Sequence, residues 1–93
     1  MMRQRGYNSA YPVEIDIWSP GLPVPEWLSD IAAVKFMDGE GNLTLETIPL
    51  SGGGFEVKGS DGQILIRTSG VVCYGSGRLF GLSHKQLRIL YEE

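Results

Sequence analysis

Ninety-three residues, 42 % apolar and 20 % charged, describe one domain with a thin core and exclude the low-hydrophobicity, high-charge composition of a disordered chain. One cysteine rules out an internal disulfide, one histidine leaves no Cys/His zinc site within the chain, and no apolar run approaches the roughly 20 residues that span a bilayer. A net charge of −3 and a pI near 5.0 argue against general nucleic-acid binding.

The charge is unevenly placed. Residues 1–56 carry three basic and eight acidic side chains, residues 57–93 five and three, so the halves stand at −5 and +2. The acidic half is suited to attracting a basic protein. The opening "MMRQRGYNSA" is basic with no hydrophobic stretch behind it, which predicts a flexible segment over 1–10, neither secretion nor membrane insertion, and a reducing, cytoplasmic setting. A single compact domain is expected over 11–93.

In "PVEIDIW" the residues Val13, Ile15 and Ile17 alternate with Glu14 and Asp16, the period-2 pattern of a strand with one buried face. "SPGLPVPEWLSD" follows with three prolines in six residues, and Pro25 suits the first turn of a short helix that carries Trp27, Leu28 and Ile31 inward. "AAVKFM" and "LTLETI" read as paired strands around "DGEGN", and Pro49 closes the second.

"SGGG" at 51–54 is expected to be a flexible joint. "FEVKGSDGQILIR" then predicts a hairpin with Phe55 and Val57 facing Ile64 and Ile66. "VVCY" is a strand buried on both faces, answered by "RLFGL" across "GSG". Ser83 and Gln86 have the spacing of a capping box, with Leu87, Leu90 and Tyr91 on one face of a closing helix. The pattern predicts an α+β fold that is mainly antiparallel β. It would be a small twisted sheet or half-open barrel of six to seven short strands, one short helix after the first strand, and a C-terminal helix over an edge or open end.

"YPVEIDIWS" and "TSGVVCYGSGRLFGLSHKQLRILYEE" together resemble the PGDYG-type family of small phage and prophage proteins. Those chains open with a basic stretch and P-V-x-I-E-A, and close with P-G-D-[YW]-I-I-x-G-x-x-G-E-x-Y-x-C and a helix ending in Tyr-Glu-Glu. Pro12, Val13, Ile15, Gly70, Gly75, Gly77, Phe80, Leu87 and Tyr91 occupy the matching positions. Ser69 stands in place of the proline, the acidic-aromatic pair is missing, and Leu82 replaces the cysteine. The resemblance implies a phage-type origin and an accessory role, and it supplies no catalytic residue.

Candidate chemistry concentrates in three places. Ser76, Gly77 and Arg78 in the "GSG" turn, with Ser83, His84 and Lys85 at the start of the closing helix, are a candidate anion site, although the G-x-x-x-x-G-K-[ST] spacing of a phosphate loop is missing. The ordinary role of the same residues is a tight turn and a helix cap. Cys73 and His84 carry the residue types of thiol catalysis, but "VVCY" is an apolar run in which a cysteine is buried and inert. Glu14 and Asp16, about 7 Å apart along one strand face, match a glycosidase pair in separation and a solvated strand face in everything else. "PGLP" satisfies P-x-x-P, and Trp18 and Trp27 bracket it as either interface anchors or core.

These readings converge on a small non-enzymatic binding protein of phage type, with no cofactor and no metal, that occupies a host protein surface through Glu14, Asp16, Trp18, Trp27, Asp38 and Glu40. Inhibition of a host defence or nucleic-acid system is one form this takes. A module sequestering an anionic nucleotide and a structural assembly subunit are the alternatives. The small core also favours a homo-oligomer.

Overall fold

The computed structural model describes residues 1–32, 36–37, 39–41 and 43–92, and within them the chain is α+β with antiparallel strands throughout. In chain order the elements are β1 (Met2–Gln4), β2 (Glu14–Trp18), α1 (Glu26–Ala32), β3 (Phe36–Met37), β4 (Leu43–Thr44), β5 (Glu46–Pro49) and β6 (Phe55–Lys58). They continue with β7 (Ile64–Thr68), β8 (Val71–Gly75), β9 (Arg78–Leu82), α2 (His84–Leu90) and β10 (Tyr91–Glu92). A five-stranded sheet runs β10-β1-β2-β8-β9, a three-stranded sheet runs β5-β6-β7, and β3 and β4 form a ribbon. Neither larger sheet closes on itself, so the half-open barrel gives way to two open sheets. The expected α+β, mainly antiparallel fold is present, and the described residues hold more than about six to seven strands because β1 pairs with β10 and "LTLETI" breaks at Leu45 into β4 and β5.

Side-chain alternation sorts the five-stranded sheet into two faces. Register pairs share a face, and Met2 lies opposite Ile15, Ile17 opposite Cys73, Cys73 opposite Phe80, and Val71 opposite Leu82. These residues, with Leu87 and Tyr91, build the first core, roofed by α2. On the other face Trp18 pairs with Val72 and joins Leu28 of α1 and Val57 of β6 in a second core. Each fully buried aliphatic contributes about 1.5–3 kcal/mol in area terms. Two cores of this size explain how so short a chain sustains two layers of β-structure on one central sheet.

The second core is closed where the Thr68 side chain comes up against the backbone of Gly81. A Cβ on Gly81 of β9 would stand 2.6 Å from the Thr68 side chain at the end of β7, so only glycine lets the two sheets meet there. Thr68 is buried and holds the link into β8 with its own hydroxyl, which donates to Val71 O at 3.1 Å and accepts from Gly70 N at 3.2 Å. At the other end of β8, Ser76 (φ 49) and Gly77 (φ 74) give the left-handed pair that a two-residue hairpin turn requires.

Several expectations are corrected. Val13 is 62 % exposed, since it precedes β2 and lies outside the alternation that buries Ile15. In α1, Pro25 O accepts from Leu28 N and Ser29 N as expected of the first turn, but Leu28 alone is fully buried while Ile31 is exposed. The helix is too short to lay more than one residue per turn on the core. "SGGG" is a hairpin turn between β5 and β6, closed by Leu50 N to Gly54 O and Gly53 N to Leu50 O, both 3.1 Å. In the β6–β7 pair Phe55 meets Thr68 in the same register that sets Val57 opposite Ile66, while an irregularity between Val57 and Lys58 shifts the register so that Ile64 meets Lys58. The expected hairpin around "DGEGN" survives as the β3–β4 ribbon, with residues 33–35, 38 and 42 outside the described residues.

The opening segment, expected to be flexible over 1–10, contains a strand bonded on both sides. β1 pairs with β2 and β10, Arg5 N donates to Leu90 O, and the Arg5 guanidinium donates to Arg88 O at 2.8 Å, which satisfies carbonyls left open at the end of α2. Gln4 holds the following loop by donating to Asn8 O and Tyr11 O while accepting from Asn8 N. The Tyr91 hydroxyl, buried beneath this loop, donates to Pro12 O at 2.7 Å. The Ser83–Gln86 capping box forms in both directions and starts α2 where expected.

Three substitutions test this arrangement by urea unfolding. Leu28→Ala is expected to cost about 2–5 kcal/mol, whereas Ile31→Ala one turn along stays within about 0.5 kcal/mol of the parent. Tyr91→Phe, which leaves a buried carbonyl without its donor, is expected to cost about 1–3 kcal/mol.

Candidate functional site

The candidate anion site is divided by the fold. Ser76, Gly77 and Arg78 sit at the turn that begins β9, and Ser83, His84 and Lys85 follow its far end. At about 3.3 Å per extended residue, Arg78 and Ser83 are roughly 16 Å apart along the backbone. Both groups are also occupied internally. Arg78 donates to Ala10 O at 3.1 Å and lies over the Phe80 ring at 5.7 Å, and the Ser83 hydroxyl accepts from Gln86 N. His84 and Lys85 are exposed on a helix of seven residues. Residues adjacent in sequence are separated here because an extended strand runs between them.

Cys73 is fully buried in the first core, and burial lifts its thiol to about 12, with the backbone hydrogen bond to Leu82 pulling the other way. The thiolate needed for nucleophilic attack is suppressed, and Cys73 and His84 lie on β8 and at the exposed start of α2 respectively. Burial also raises the Tyr91 phenol, against a lowering contribution from the Gln4 side chain. No three His, Cys, Asp or Glu side chains among the described residues are grouped to hold a metal ion.

The two tryptophans take different parts. Trp18 is 4 % exposed, meets Phe55 edge-on and donates its indole N–H to Leu22 O at 3.2 Å, so it is core and also the floor of the "PGLP" loop. Between that loop and β4–β5 runs a groove of about 670 Å³, bounded by Trp18, Pro20, Leu22, Val24, Thr44 and Leu45, with no charged side chain among the described residues of its walls. Trp27 is half-buried and lies on Tyr74 of β8, with ring centroids 5.3 Å apart and planes at 10°.

The stack marks the border between the covered and open parts of one sheet face. Glu14, Asp16 and Trp18 alternate onto this face of β2, with Arg3 opposite Glu14 and Tyr74 opposite Asp16. The Trp18 end packs against α1 and the smaller sheet. Arg3 pairs with Glu14 at 3.1 Å, while Asp16 is exposed and forms no ion pair among the described residues. Glu26 and Asp30, one turn apart on the outer side of α1, are likewise exposed and unpaired among the described residues. Glu40 is exposed on the β3–β4 connection, and Asp38 lies outside the described residues. The candidate partner-binding residues therefore divide: Glu14, Asp16 and Trp27 share one surface, Trp18 lies under it in the core, and Glu40 belongs to another region.

No family model, curated protein or solved structure matches the chain. The resemblance to PGDYG-type phage proteins rests on the quoted residues alone.

The raised thiol sets the sign of a pH effect. A group protonated more tightly in the folded state contributes stability that is full below its unfolded value and is lost as pH rises toward the folded one. Unfolding free energy is therefore expected to fall from about pH 9 toward about 12. Cys73→Ala should flatten part of that decline, and an unchanged slope in the variant would contradict the assignment.

Proposed function

We propose that this chain is a non-enzymatic binding protein of phage type that acts by occupying a surface of a basic host protein. The observation that carries the reading is the negative charge of Asp16, Glu26 and Asp30, unpaired among the described residues, beside the half-buried Trp27–Tyr74 stack on a sheet face where Asp16 is exposed. Carboxylates free of internal partners accelerate encounter with a basic surface and repel nucleic acid. Aromatic side chains at the same place supply apolar area of the kind that anchors protein interfaces. The sealed and protonated Cys73 supports binding over thiol chemistry, and the division of the anion site by β9 weighs against nucleotide capture. No helix among the described residues is long and apolar enough to cross a membrane. Host cytoplasm is the compartment that the phage resemblance implies.

Affinity capture from a bacterial lysate, read by mass spectrometry at low and raised ionic strength, tests the proposal. A basic protein enriched at low salt and lost as the Debye length shrinks is the expected result. An empty capture at low salt, or a thermal shift with a free nucleotide in its place, would overturn it.

A further inference from the structure

We propose that the open half of the β10-β1-β2-β8 face docks an arginine-bearing segment of the protein partner, with one guanidinium engaged by Asp16 and its aliphatic stem laid against the Trp27–Tyr74 stack. This rests on the binding reading above and adds the surface and the side-chain chemistry of the partner.

Asp16 and Tyr74 are register partners on adjacent antiparallel strands, so their Cβ atoms stand about 4.5–5.5 Å apart on the same face. Trp27 lies over Tyr74, and Asp30, three residues on in α1, is its neighbour one helical turn along. A carboxylate, two aromatic rings and a second carboxylate are thus brought together by β2, β8 and α1, although 58 positions separate Asp16 from Tyr74 in the chain. The surrounding charges are already matched: Arg3 with Glu14, and Arg5 with Glu92 at 3.5 Å. What remains on the surface is negative, with Asp16, Glu26 and Asp30 unpaired among the described residues.

The combination selects the occupant. Phosphates, nucleic acid and anionic lipid are repelled. Lysine can satisfy one carboxylate as a point charge, whereas the planar guanidinium meets a carboxylate bidentately and lies flat on an aromatic ring. Its three-carbon stem covers apolar surface while the charged head stays in reach of solvent and Asp30. A saccharide would also use aromatic rings and carboxylates, but it would draw nothing from the charge imbalance and would bind independently of salt.

The test is a titration of the 15N-labelled protein with a capped Gly-Arg-Gly-Arg-Gly peptide, its lysine and glutamate counterparts, and a neutral oligosaccharide. The expected result is that the arginine peptide moves the amides of Asp16 and Tyr74 and the Trp27 indole N–H, the lysine peptide binds severalfold more weakly, and the glutamate peptide and saccharide do not bind. Asp16→Asn with Asp30→Asn should weaken the arginine peptide at least about fivefold. Trp27→Phe, which keeps a ring on Tyr74, should weaken it less. Shifts confined to the Pro20–Val24 groove, saccharide binding at the stack, or equal affinity in the double asparagine variant would overturn the inference. If the lysate partner is captured equally by that variant, the surface is wrong and the binding function stands. An empty lysate capture removes the function, while the peptide titration still decides the surface.

Discussion

Strand β8 is the element on which the rest of the molecule depends, because its alternate residues serve opposite cores. Val71 and Cys73 face α2 and the first core, while Val72 faces Trp18, Leu28 and Val57 in the second. A strand in that position cannot carry a polar residue on either side without stranding a buried group, which is why "VVCY" reads as an unbroken apolar run. β2 on one flank and β9 on the other then need only one apolar side at each point, and their mixed patterns follow. The thiol of Cys73 is protonated and inert for the same reason: it is a packing group at the centre of the sheet.

The position of the candidate surface follows from how the second core is closed. The smaller sheet meets the larger one where Gly81 approaches Thr68, at the β9 side, and α1 fills the adjoining space above Trp18 and Val72. The first turn of α1 sets Trp27 on Tyr74. Beyond it the sheet face continues across β2 and β1 with charged side chains only. The aromatic stack is the last piece of the core, and the carboxylates begin next to it, so an apolar edge and a negative field adjoin because the cover ends between them.

Features set by local chemistry were legible in the sequence. The alternation of "EIDIW", the Ser76–Gly77 turn, the Ser83–Gln86 box and the buried character of "VVCY" each depend on residues a few positions apart, and the structure has them as read. What escaped depends on distant partners. "MRQ" shows no strand pattern, and β1 exists because β2 and β10 receive it on both edges. The two halves of the candidate anion site lie at opposite ends of β9 for the converse reason, since neighbours in sequence on an extended strand are carried apart at every step. Trp27 was visible as a large aromatic, but its contact with Tyr74 and the adjacency of Asp16 required the β2–β8 pairing, which no single stretch encodes. Val13 shows the limit of alternation itself: its carbonyl still accepts from Gln4 N, yet its side chain is exposed.

The placement of β1 between β2 and β10 also constrains when the fold can be finished. Arg3 has Glu14 on one side and Glu92 on the other, so the sheet is completed only once residues about 90 positions after β1 have been made. Until Leu87 and Tyr91 arrive, Met2 and Ile15 have no roof, and the nascent chain shows water an apolar strip along an unpaired edge. The contact that completes this layer joins two segments far apart in the chain, α2 and β10 on one side and β1 and β2 on the other.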